Sequence, residues 1–77
     1  MNKQDFMKLP MDSEEIGHIS VRLSNILSYK EIDTVEEFLA VEPDEWKKTR
    51  NLGAKTMEEI QGLSSMIKAK LKELGEH

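Results

Sequence analysis

The stretch "RNLGAKTMEEI", residues 50–60, separates a set of short apolar patterns from the longest apolar pattern in the chain. From Ala54 onward, apolar side chains recur at steps of three and four residues, which predicts one helix of about six turns. Those positions are Met57, Ile60, Leu63 or Ser64, Ile67, Leu71 and Leu74. Gly53 stands just before this helix, where glycine adopts backbone angles that other residues avoid. The stretch therefore predicts a tight turn that opens directly into a long helix.

The residues before this turn predict three shorter helices. Their start signals are an N-cap residue, a capping-box spacing and a proline at a first helical position, found at Ser20, at Thr34 with Glu37, and at Pro43. No strand-type alternation interrupts these patterns, and the connections are short. We therefore expect an all-α fold, a compact bundle of three short helices plus one long C-terminal helix. Residues 43–48, the turn and the long helix would form a helix-hairpin-helix within it.

The two ends of the chain give weaker signals. Residues 1–10 mix polar and apolar types without a clean period, so we predict a flexible lead-in there and a domain over residues 11–77. The apolar stripe of the long helix continues through Ile67, Leu71 and Leu74. We expect these side chains to fold back on Phe6 and Leu9. Pairing with another protein molecule is the alternative.

The turn at Gly53 also has the features of an anion-binding site. The amides of Ala54, Lys55 and Thr56 begin the helix and have no partner within it. Together with the helix dipole they favour a bound anion, to which Lys55 adds charge and the Thr56 hydroxyl a hydrogen bond. Positions 47–55 hold no acidic residue and carry Lys47, Lys48, Arg50 and Lys55. The alternative is an ordinary turn beside solvated lysines.

A second polar pair lies on the first of the short helices. In "SVRLSN", Arg22 and Asn25 are three residues apart and share one face, outside the apolar stripe that includes Leu23. Arginine suits a narrow, electronegative minor groove, and asparagine bonds phosphate, sugar or a base edge. We expect this pair to face the same side as the amides after Gly53. An ordinary surface Arg and Asn is the alternative.

Together, "SVRLSNIL" and "RNLGAKTMEEI" resemble the C-terminal domain of the bacterial RNA polymerase alpha subunit, over roughly residues 12–67. That family shows a V-R-S-x-N-x-L pattern and then an N-L-G-x-K-S-x-x-E-I pattern at a closely similar separation. The resemblance implies binding to the minor groove of A·T-rich upstream promoter DNA, and contacts with RNA polymerase subunits or transcription factors. The implied DNA-binding residues are Arg22, Asn25, Asn51, Gly53, Lys55, Thr56 and Glu59.

The resemblance also implies a role for each of these residues. Arg22 would enter the minor groove with Asn25 beside it. The hairpin would contact the DNA backbone through Asn51 and Gly53. Lys55 and Thr56 would hold phosphate at the helix start. Glu59, one turn further on, would act indirectly.

Four departures from the family pattern stand out. Leu23 replaces a serine beside Arg22, and Thr56 replaces a serine while keeping the hydroxyl. Gly17 and His18 occupy the region where the family carries an acidic surface that meets sigma, so we do not carry that contact over. The chain begins at Met1 without a large assembly domain ahead of it. We therefore expect either an excised domain or an independent small protein.

Composition limits the remaining classes of function. The chain has 77 residues, no cysteine and a formal net charge of −4. The acidic balance argues against a general nucleic-acid coat protein but is compatible with a local basic patch. No apolar run approaches the ~20 residues of a membrane span, so we expect a soluble cytoplasmic protein. His18 and His77 are far apart in the sequence, and the adjacent glutamate pairs point in different directions on a helix.

We therefore expect a non-catalytic domain with no metal, no cofactor and no small-molecule substrate. The alternative function is a protein-protein interaction module that keeps the fold without DNA binding. The acidic balance and the altered segment around Gly17 and His18 motivate that alternative.

Overall fold

The computed structural model describes residues 1–49 and 52–75, and these residues form an all-α domain. Its five helices are α1 (Lys3–Met7), α2 (Val21–Tyr29), α3 (Val35–Ala40), α4 (Pro43–Lys48) and α5 (Gly53–Gly75). Strand-like pairing in the described part of the protein is limited to an isolated antiparallel bridge between Pro10 and Thr34. The predicted fold class is confirmed, with three short helices leading to one long helix and a further helix before them.

The starts of α2, α3 and α4 follow their sequence signals. The Ser20 hydroxyl caps α2 by accepting a hydrogen bond from the Leu23 amide at 3.1 Å. Thr34 caps α3, and Glu37 completes the capping box by accepting from the Thr34 amide at 3.1 Å. Pro43 opens α4, where its missing N–H leaves no intrahelical bond unmade. Local chemistry therefore sets the boundaries of these helices.

The segment predicted to be a flexible lead-in instead contains α1. Asn2 caps α1 through its amide oxygen, which accepts a hydrogen bond from the Asp5 amide at 2.8 Å, and Phe6 is completely buried. Helix α1 packs against α3 and α5. A helix of five residues is too short to show a period in the sequence, and burial of Phe6 stabilises it through tertiary contacts.

The core lies between α5 and the shorter helices. Its buried side chains are Phe6, Met11, Ile16, Leu23, Leu27, Ile32, Val35, Phe38, Trp46, Leu52, Ile60, Ile67 and Leu71. The rings of Phe38 and Trp46 are 5.7 Å apart at their centroids. Ile67 and Leu71 share the core with Phe6, while Leu9 and Leu74 pack at its edge. The expectation that the end of the long helix folds back on the first residues is confirmed.

Helix α2 ends in a left-handed residue that is not glycine. Glu31 has φ +59°, and the Ile32 amide donates to the Leu27 carbonyl at 2.8 Å. This is a Schellman-type helix end, at which glycine is the favoured residue. For a residue with a Cβ, that conformation costs about 1–2 kcal/mol. Burial of Leu27 and Ile32 compensates, because both belong to the core.

Among the helices described, none combines the length and apolar character that a membrane crossing requires.

Candidate nucleic-acid interface

Helices α2 and α5 bring Arg22 and Gly53 together on one surface. Gly53 has φ +75°, in the left-handed region that favours glycine. A Cβ placed on Gly53 would lie 3.5 Å from Nη1 of Arg22. The guanidinium group therefore lies directly beside the start of α5. The expectation that Arg22 and the Gly53 turn face the same side is confirmed.

The two residues share a shallow depression of ≈ 660 Å³. It is lined by Val21, Arg22, Asn25, Ile26 and Gly53. Arg22 and Asn25 are exposed, as expected for residues outside the buried Leu23–Leu27 stripe. Val21, an apolar residue at the start of α2, is 76% exposed in the same depression. An arginine, an asparagine and two apolar side chains therefore line the depression together with Gly53.

Glu59 connects the two helices that carry this surface. One of its carboxylate oxygens accepts from the Ser20 amide at 2.8 Å, and the other from the Ser20 hydroxyl at 2.6 Å. The same hydroxyl caps α2 by accepting from the Leu23 amide. The carboxylate thus ties the first turn of α2, which includes Arg22, to α5. The indirect role of Glu59 in DNA binding stays a prediction, and these hydrogen bonds show which part of α2 it positions.

Lys55 and Thr56 differ in their exposure. Lys55 is exposed two residues after Gly53. Thr56 is only 3% exposed, because it lies four residues before the buried Ile60 on the inner face of α5. The predicted hydroxyl contact of Thr56 with phosphate is therefore corrected, since the side chain faces the core. The spacing from Thr56 to Ile60 was visible in the sequence and already placed Thr56 on the buried stripe.

The rest of the predicted cationic surface is described in part. Lys47 and Lys48 are exposed in the last turn of α4, close in sequence to the turn. Asn51, a predicted contact, and Arg50, a predicted member of the basic cluster, lie outside the described residues. Within residues 1–49 and 52–75, no group of three His, Cys, Asp or Glu side chains is placed to hold a metal ion.

These features first define a class of protein. The chain is a compact all-α domain that presents an arginine and the glycine start of its longest helix on one exposed surface. Residues 7–73 match the sequence profile of a family described as the C-terminal domain of the bacterial RNA polymerase alpha subunit. The protein belongs to this family of transcription-related DNA-binding domains. The family is a non-catalytic part of the polymerase, so membership assigns no catalytic role to the protein.

Three relatives, each described as DNA-directed RNA polymerase subunit alpha, are 40–44% identical to the protein over the aligned residues. The DNA-directed RNA polymerase subunit alpha of Clostridium beijerinckii is 40% identical over 78 residues, covering 97% of this chain and 22% of the relative. The alpha subunit of Syntrophomonas wolfei is 44% identical over 66 residues, which cover 86% of this chain and 18% of the relative. The alpha subunit of Clostridium botulinum is 42% identical over 67 residues, which cover 87% of this chain and 19% of the relative. No solved structure gives a significant match.

The chain therefore spans only about a fifth of the length of these relatives.

Proposed function

We propose that the protein binds the minor groove of A·T-rich upstream promoter DNA, as a module of the RNA polymerase alpha C-terminal type. The observation that carries this proposal is the 3.5 Å separation between Nη1 of Arg22 and the Cβ position of Gly53. A duplex that receives the guanidinium group in its groove would place its backbone against the start of α5. One ligand would then engage both features.

Each side of the surface would contribute a different interaction. Arg22 is attracted to the enhanced negative potential of a narrow A·T-rich minor groove. The unpaired amides after Gly53 and the helix dipole favour a phosphate, and Lys55 adds a mobile positive charge. Because the Thr56 side chain is buried, its contribution would come from its backbone amide. Asn25 is exposed beside Arg22 and is free to bond phosphate or sugar.

Glu59 would support this interface without touching DNA. Its carboxylate accepts both hydrogen bonds from Ser20, so the capped start of α2 is fixed relative to α5. A fixed start of α2 holds the Cα of Arg22 at one distance from the phosphate-binding amides. The arginine would then lose less conformational freedom on binding.

The affinity of the isolated domain for DNA would be low. Few phosphates are neutralised, and the logarithm of the binding constant falls with the logarithm of salt concentration by about 0.9 for each of them. The relatives that the protein matches are about five times longer. Within such a subunit, tethering in the bacterial cytoplasm would raise the effective concentration at the promoter. Polymerase subunits or transcription factors would be the further partners.

A charge-matched pair of variants tests the DNA-binding proposal. Arg22→Ala should weaken binding to an A·T-rich duplex at least about tenfold in fluorescence anisotropy at low salt, because the groove contact is lost. Lys70→Ala removes the same charge from an exposed position ~25 Å along α5 from Gly53, and should bind like the parent. Both variants should keep the parent's far-ultraviolet circular dichroism. Equal binding by Arg22→Ala and the parent would contradict the minor-groove assignment.

The alternative is a protein-protein interaction module that keeps the fold without DNA binding. A groove of ≈ 480 Å³ between α3, α4 and α5, with Phe38 and Trp46 in its wall, is the observation that favours it. The net charge of −4 also favours a module that does not bind DNA. A folded parent protein that binds neither A·T-rich nor G·C-rich duplex at low salt would support this alternative over the first proposal.

A further inference from the structure

The outer face of α2 carries a large exposed aromatic side chain in line with the DNA-contact candidates. Tyr29 follows Arg22 by seven residues and Asn25 by four, so all three lie on one stripe of the helix. Tyr29 is 86% exposed, the largest fraction among the exposed large hydrophobic residues of the described segments. Its ring therefore contributes little to the core.

With α2 lying along one strand of a duplex, the distance along this stripe would match the spacing of the phosphates. Seven residues of α-helix rise ~10 Å. Successive phosphates on one strand are spaced ~3.4 Å along the duplex axis, so this length corresponds to about three base pairs. Helical side chains also lean toward the N-terminus of their helix. The same lean applies to Arg22, Asn25 and Tyr29, so it does not change the spacing along the stripe.

We propose that Tyr29 is a further DNA-contact residue, whose phenol hydroxyl donates a hydrogen bond to a phosphate about three base pairs from the Arg22 site. Tyrosine hydroxyls are among the neutral groups that bind phosphate oxygens and fix the orientation of a protein on a duplex. The contact would set the direction in which α2 lies along the groove. This inference rests on the proposed DNA binding and names an additional residue of that interface.

The neutral character of the phenol gives the contact a specific signature. A lost hydrogen bond weakens binding, but no counterion is released by a neutral donor, so the salt dependence should not change. Loss of Arg22 should weaken binding. It should also reduce the steepness of the plot of log binding constant against log salt concentration by about 0.9. The two residues can therefore be distinguished by one experiment.

The experiment uses the full 77-residue protein and a fluorescein-labelled A·T-rich duplex at several salt concentrations. Tyr29→Phe removes only the hydroxyl and should raise Kd about 3- to 10-fold, the range expected for one hydrogen bond, with the parent's salt slope. Tyr29→Ala should weaken binding at least as much. Met66→Ala, at another exposed apolar residue, is the matched control and should bind like the parent.

Each result has one interpretation. Parent-like binding by Tyr29→Phe, while Arg22→Ala is impaired, would overturn the Tyr29 contact and leave the proposed DNA binding intact. If Tyr29→Ala bound DNA more weakly while Tyr29→Phe bound like the parent, the hydroxyl contact would also be overturned, because the ring would then be the interacting group. Failure of the parent to bind any duplex would overturn the proposed function and this inference together.

Discussion

Replacing Gly53 by alanine perturbs the turn at which the candidate interface is built. Gly53 has φ +75°, and an alanine in the left-handed region costs about 1–2 kcal/mol. The lower entropy of the unfolded alanine variant offsets roughly 0.4–1 kcal/mol of this cost. The new Cβ would lie 3.5 Å from Nη1 of Arg22, an ordinary van der Waals distance, so steric repulsion adds little. We expect Gly53→Ala to lower the free energy of unfolding by about 1 kcal/mol.

Gly62 provides the matched control for this substitution. It lies inside α5, and a Cβ there would meet nothing within 4 Å. Alanine is favoured over glycine within a helix by up to about 1 kcal/mol, so Gly62→Ala should raise the free energy of unfolding. Replacement by alanine should therefore lower the free energy of unfolding at Gly53 and raise it at Gly62. Urea unfolding followed by circular dichroism in the far ultraviolet measures both, and their difference should be about 2 kcal/mol.

The thermal midpoints should separate in the same direction. For a domain of this size, about 1 kcal/mol corresponds to about 4–8 °C in Tm. If Gly53→Ala were as stable as Gly62→Ala, the left-handed conformation at Gly53 would not be the constraint described here. The reasoning about the turn would then be refuted even if DNA binding persisted.

Three further sets of substitutions test other parts of the structure. Phe6→Ala should lower stability by about 3–5 kcal/mol in urea unfolding, because α1 would lose its buried anchor, and a loss under about 1 kcal/mol would contradict the packing of α1. Glu31→Gly should raise Tm, since about 1 kcal/mol of left-handed strain is relieved, and a lower Tm would argue against the φ of +59°. Glu59→Gln and Ser20→Ala should each destabilise by about 1–2 kcal/mol, and less than additively together, because they share the same hydrogen bonds. Strict additivity in that double-mutant cycle would disprove the connection between α2 and α5.

Much of the helical architecture could be predicted from local signals. The caps at Ser20 and Thr34 and the proline at position 43 act within one turn of the backbone, so their effect is visible in the sequence. Helix α1 was missed because five residues provide no measurable period. Its stability comes from Phe6, whose partners are distant in the sequence.

The sequence predicted several residues of the candidate site, but it could not predict how they are arranged in space. The glycine before a helix and the Arg22–Asn25 spacing identified two elements, but only the packing of α2 on α5 places them together. Thr56 was assigned a phosphate contact from its place in the first turn of α5 and from the family resemblance, although its spacing to Ile60 placed the side chain in the core. Bonds between Glu59 and Ser20 span 39 positions, which no local pattern specifies.

The central claim is that one duplex engages Arg22 and the first amides of α5 at the same time. A heteronuclear NMR titration with an A·T-rich duplex tests it most directly, by following the Arg22 side-chain Nε–H and the backbone amides of Ala54 and Lys55. We predict that these signals move together with a single Kd, and that in Arg22→Ala the two amides move only at much higher DNA concentration. Amide shifts without any response of Arg22, or shifts confined to α3 and α4, would contradict the account.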